Sequence, residues 1–140
     1  MSDQLNPSNL VAALLTLQFA VFGLRISREI AIGDLHKRTW LLFSDYLNFA
    51  ALIAVVACCI IYPLHIGTFG KLSRTVLAGG YALVCMMPLV IAGHYRLFSR
   101  QGRDIYLEHG EAYPWMTGEE MVLAAAAILV TAAVVLFMSF

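Results

Sequence analysis

The sequence predicts an all-α integral membrane protein, a four-transmembrane-helix bundle, and three observations carry that expectation. Apolar residues make up 61% of the chain and charged residues only 13%, about half the charged share of an ordinary soluble domain. Four runs come close to or exceed the ~20 apolar residues that a helix needs to cross the hydrocarbon: 9–26, 40–62, 75–98 and 121–140. The basic residues fall unevenly between those runs. No repeat or low-complexity linker divides the chain, so a single polytopic membrane domain over 1–140 is expected.

Nine basic and nine acidic residues sum to zero, so no global field points to nucleic acid. Arg25, Arg28, Lys37, Arg38, Arg96, Arg100 and Arg103 lie in the first and third connections, whereas the second holds only Lys71 and Arg74. By the positive-inside rule the first and third connections face the cytoplasm and both termini face outside. Asp3 is the only charge ahead of the first apolar run, which does not fit a cleavable signal. A bacterial inner membrane is the expected location.

In the first span Ala13, Thr16, Ala20, Gly23 and Ser27 recur at alternating steps of three and four. Such a row of small residues is a helix-packing surface, and its period suits left-handed crossing. Gln18 and Arg25 share a different face, and Gln18 is the strongly polar side chain near the middle of the span.

The second span places Ser44, Asp45 and Asn48 on one side together with Leu52, Val55, Cys59 and Tyr62. Asp45 stands five residues after Trp40, about 7.5 Å along a helix axis and at or just inside the inner headgroup boundary. An acid at that depth either finds a partner or faces water. Two roles therefore stand open for it: lining a pathway, or pairing with Arg25, Arg28 or Arg96.

The third span offers Thr75, Ala78, Gly79 and Ala82, then Ala92 and Gly93, as a second small-residue surface. Pro88 is expected to kink it by removing a backbone donor. It ends on His94, Tyr95 and Arg96, which with Arg25, Glu108 and His109 are the cytoplasmic-face candidates. Ahead of the fourth span, Tyr106, Tyr113 and Trp115 suit an interfacial belt. Thr117 followed by Glu120 is a capping-box pattern that starts the last helix at Gly118.

Cys58, Cys59 and Cys85 all lie within spans and read as small apolar residues. The spacing of His36, His94 and His109 matches no compact metal motif, and His65 and His94 fall at opposite membrane sides, which disfavours a shared haem. No cofactor and no metal are expected. Phosphate-binding loops and hydrolase or zinc-protease patterns are absent from the sequence, so an enzyme is the weaker expectation.

The leading functional expectation is a homo-oligomeric channel or transport module, in which Asp45 from several copies would draw cations to an inner mouth. One alternative is a non-catalytic anchor or regulatory subunit of a larger membrane complex. Another is a membrane enzyme working at the cytoplasmic face through His94, Tyr95, Arg96, Glu108 and His109. The centres of the spans carry no ionisable group, unlike the arrangement expected of a proton-coupled exporter. The expected partners are the lipid bilayer and either further copies of the chain or another membrane subunit, with no nucleic acid.

Overall fold

A chain this apolar must satisfy its backbone internally, and helices do so within single segments. The computed structural model describes residues 6–36, 41–99 and 116–140. Its elements are α1 (Pro7–His36), α2 (Phe43–Val56), a π-helical turn (Ala57–Ile61), α3 (Tyr62–Ile66), α4 (Lys71–His94) and α5 (Gly118–Ser139). Four stretches are long and apolar enough to cross a membrane: Pro7–Arg28, Phe43–Ile66, Lys71–His94 and Gly118–Ser139. Large apolar side chains such as Phe19, Leu24, Leu129 and Phe137 point outward, as helices do when their solvent is lipid.

Helix α4 is the hub. Its span is more buried than the other three, and it packs on α1, α2 and, most extensively, α5. Glycine makes the α4–α5 approach possible. A Cβ built on Gly79 would stand 2.8 Å from the Val135 side chain, and one on Gly93 would stand 3.1 Å from the backbone of Glu119 and Glu120. Backbone cannot step aside as a side-chain tip can, so Gly93→Ala is expected to cost about 1–3 kcal/mol through overpacking. Gly23→Ala, where an added Cβ meets nothing within 4 Å, is expected to leave the thermal midpoint of the purified protein unchanged; equal losses for both variants would refute the packing assignment.

Several element boundaries differ from the sequence expectation, among them the end of the second span, at Ile66 rather than residue 62. The first helix continues ten residues beyond Ile26 to His36, since no proline interrupts it and the first weak helix former on the way is Gly33. The third runs from Lys71 to His94, four residues earlier at each end than 75–98. Lys71 is exposed in its first turn and donates to the Ser139 carbonyl. At the other end Arg96 takes a left-handed conformation with φ 50°. Arg96 N–H bonds to Gly93 and Leu97 N–H to Ala92, the Schellman pattern that closes a helix. Pro88 lies inside α4, which is helical on both sides of it.

The second span contains a feature that the sequence expectation missed. Pro63 has no N–H to donate, and the Tyr62 N–H bonds to Ala57 five residues back. The Cys58 carbonyl is thereby left without a backbone donor, and the Ser73 hydroxyl supplies one at 2.7 Å. The Cys59 thiol returns a bond to the Ser73 carbonyl at 3.3 Å, tying the π turn to the start of α4. Ser73→Ala is expected to cost about 1 kcal/mol, the loss of one part-buried hydrogen bond, read as a lower thermal midpoint.

The small-residue row on α1 faces outward from the described bundle. Ala13, Thr16, Ala20, Gly23 and Ser27 are all exposed. Thr16 satisfies its hydroxyl on the Ala12 carbonyl of its own helix.

Candidate functional site

A set of polar residues gathers inside the bundle. Arg25, Ser44, Asp45, Asn48, His94, Thr117 and Glu120 are buried, as are Gln18 and Tyr95. Together they form a column of polar groups from the middle of α1 and α2 to the end where α4 stops and α5 starts.

At its ionic centre the Arg25 Nη2 atom lies 3.4 Å from Asp45 Oδ2, with side-chain exposures of 1% and 6%. Asp45 is the third residue of α2, and the same carboxylate accepts the Leu42 backbone N–H at 2.8 Å. The acid therefore also caps the orphan donors of a helix start. Arg25 donates to the Tyr95 hydroxyl at 3.0 Å, so one guanidinium joins α1, α2 and the end of α4. The Arg28 guanidinium lies 4.5 Å from the centre of the Tyr95 ring, within cation–π range.

A second cluster adjoins this one through the neighbours His94 and Tyr95, whose rings meet edge to face. His94 Nδ1 and Glu120 Oε2 are 2.7 Å apart, and neither side chain has any exposure. Thr117 accepts the Glu120 N–H at 3.1 Å and donates to the Gly93 carbonyl at 2.8 Å. The capping box expected at Thr117 and Glu120 is thus formed, and α5 starts at Gly118. The absence of a Cβ at Gly93 lets this turn sit against α4, bringing Glu120 to His94.

Deeper in the bundle, Asn48 donates to the Gln18 backbone carbonyl at 3.2 Å. Both polar atoms of the Gln18 amide, Oδ1 of Asn48 and the Ser44 hydroxyl are buried without a hydrogen-bond partner among the described residues.

The expected stripe of Ser44, Asp45 and Asn48 therefore exists as one buried face, turned toward α1 and α4 rather than away from the bundle. Of the three arginines considered for Asp45, the structure brings Arg25 to it. Among the cytoplasmic-face candidates, Arg25 and His94 join the column, and Arg96 forms the turn beyond it, half-buried. Glu108 and His109 lie outside the described residues. Of the helix-packing candidates, Gly79 and Gly93 make close helix contacts, whereas Ala13, Thr16, Ala20 and Gly23 face outward. Sequence reasoning missed the pairing of Glu120 with His94, because capping alone accounted for that glutamate.

An enzyme mechanism through His94 meets a geometric obstacle: the imidazole has no exposure and stands against Glu120. Among the described residues, no group of three or more His, Cys, Asp or Glu converges as a ligand set for a metal.

Comparison with known protein families, curated proteins and solved structures gives no match.

Proposed function

We propose that the chain is a membrane transport module for a small cation, acting as a homo-oligomer in which each protomer carries its own polar path. One observation carries this reading: a buried polar column inside the bundle includes the Arg25–Asp45 pair, and polar atoms of Gln18, Ser44 and Asn48 in it have no hydrogen-bond partner among the described residues. Buried polar groups in a purely structural lock are normally satisfied, and ionisable groups within membrane spans mark pathways by default. The inward turn of Ser44, Asp45 and Asn48 favours a path within the protomer over a ring of acids around an oligomer axis. In the proposed orientation the Arg25 end faces the cytoplasm of a bacterial inner membrane and both termini face outside, following the excess of basic residues in the first and third connections.

The test is cation flux into proteoliposomes, normalised to folded protein. Asp45→Asn keeps an acceptor for the Leu42 N–H but removes the charge, and is expected to reduce flux about tenfold or more, as losing a few kcal/mol of stabilisation from a charged site does. Wild-type protein that gives no flux above empty liposomes would sink the reading.

The exposed small-residue row on α1 supports a second reading, a non-catalytic anchor or regulatory subunit, because such a face admits close approach by another membrane helix. Counting protein copies per lipid nanodisc separates the two. A defined homo-oligomer supports the module, and a monomer that conducts nothing and co-purifies with another membrane polypeptide supports the subunit.

A further inference from the structure

We infer that Gln18 and Asn48 hold an internal water site between α1 and α2. A cavity of about 40 Å³ lies between these helices, lined by Gln18, Phe19, Phe22, Asn48, Phe49 and Leu52. Gln18 is 1% exposed and Asn48 5%, and three of their polar atoms, Gln18 Nε2, Gln18 Oε1 and Asn48 Oδ1, have no hydrogen-bond partner among the described residues. Gln18 stands eleven residues after Pro7 in a candidate span of 22 residues, and the bond from Asn48 to the Gln18 carbonyl sets both side chains at one depth.

The volume and the chemistry together select the occupant. A water needs about 10–15 Å³ of such space and two to four polar partners, so one or a few waters fit and an organic ligand does not. The unpartnered set contains both a donor, the Gln18 NH2, and acceptors, the two amide oxygens, and a species that both accepts and donates is needed to satisfy it. No lining residue is charged, so a bare cation would sit there without compensation. Three aromatic rings and a leucine complete the wall, with Phe19 and Phe49 exposed on the lipid side. They cover the amides and make an unsatisfied state costly. Water also accounts for the burial of two amides on neighbouring helices in a cavity whose other lining side chains are apolar. It extends the polar column inward from Arg25 and Asp45, but the site stands whether or not the protein transports anything.

The experiment is water-edited solid-state NMR on the full chain in bilayers, following transfer of magnetisation from water to side chains. The side-chain amides of Gln18 and Asn48 are expected to polarise several-fold faster than the methyl groups of Leu14, which is fully buried one turn away on α1. Build-up no faster than at Leu14 would mean a dry cavity and overturn the inference. Resonances of Gln18 that move when sodium or potassium replaces N-methylglucamine in the buffer would mark a cation site and also overturn it. In Gln18→Met the rapid build-up at Asn48 is expected to be lost. Its persistence would show that Gln18 does not hold the water, and if that variant does not fold the wild-type measurement decides alone. Flux without a hydrated Gln18 would leave the transport proposal standing and remove this one.

Discussion

Arg25→Met is expected to lower the stability of the folded protein by about 3–5 kcal/mol, the cost of stranding one partner of a buried ion pair. The Arg25 and Asp45 side chains are 1% and 6% exposed, 3.4 Å apart, so removing the guanidinium leaves a carboxylate within the bundle and without this cation. The Tyr95 hydroxyl also loses the donor that joins it to α1. Replacing both charges, as in Arg25→Met with Asp45→Leu, is expected to recover part of the loss, because the desolvation cost of the pair disappears with its attraction. Recovery is incomplete because the Leu42 N–H loses its acceptor, which is worth about 0.5–2 kcal/mol at a helix start. Denaturant titration of the four proteins in mixed micelles closes the double-mutant cycle. A coupling energy near zero would mean that the pair does not hold α1 against α2.

The class of this fold was legible because it depends on composition and run length, and both are visible without knowing which residues meet. The start of α5 was equally legible, since Thr117 and Glu120 satisfy each other within one turn. What joins distant residues was legible only in part. The seven-residue spacing puts Gln18 and Arg25 on one face of α1, and Ser44, Asp45 and Asn48 form one face of α2, but the sequence alone left Asp45 with three arginines. The packing of α1 on α2 decides among them: Asn48 bonds to the Gln18 carbonyl, and the long side chain of Arg25, two turns further along α1, reaches Asp45 in the first turn of α2.

Two misplacements have physical causes of a different kind. Lys71 and Arg74 pushed the expected start of the third span to Thr75, although long basic side chains at a helix end can keep their charges at the interface while the helix continues. The direction of the row Ala13, Thr16, Ala20 and Gly23 was illegible because small residues suit contact with any helix, in this chain or another. The π turn had a signal that went unused: Pro63 follows an uninterrupted apolar run, and the donor it lacks must be found elsewhere. Ser73 stands ten residues on, in the helix that packs beside that turn.

Glu120→Ala is the other substitution expected to cost about 3–5 kcal/mol, because it acts on two buried systems at once. It takes the 2.7 Å partner from His94, a ring with no exposure, and it removes the carboxylate that faces the Thr117 N–H at 3.4 Å. The His94 and Glu120 side chains are both fully buried, and the first turn of α5 lies so near α4 that a Cβ on Gly93 would stand 3.1 Å from its backbone. Glu120→Gln separates charge from hydrogen bonding. The amide has the same length and can still meet His94 Nδ1 and the Thr117 N–H, so a network that depends on hydrogen bonds keeps most of its stability in this variant. A network that depends on the carboxylate charge loses nearly as much as in Glu120→Ala. Thr117→Ala gives the scale for the cap alone, about 0.5–2 kcal/mol for a helix N-cap, plus its bond to the Gly93 carbonyl. If Glu120→Ala costs no more than Thr117→Ala, then His94 finds another partner in the folded protein, and the junction of α4 and α5 is held by glycine packing rather than by the buried histidine and glutamate.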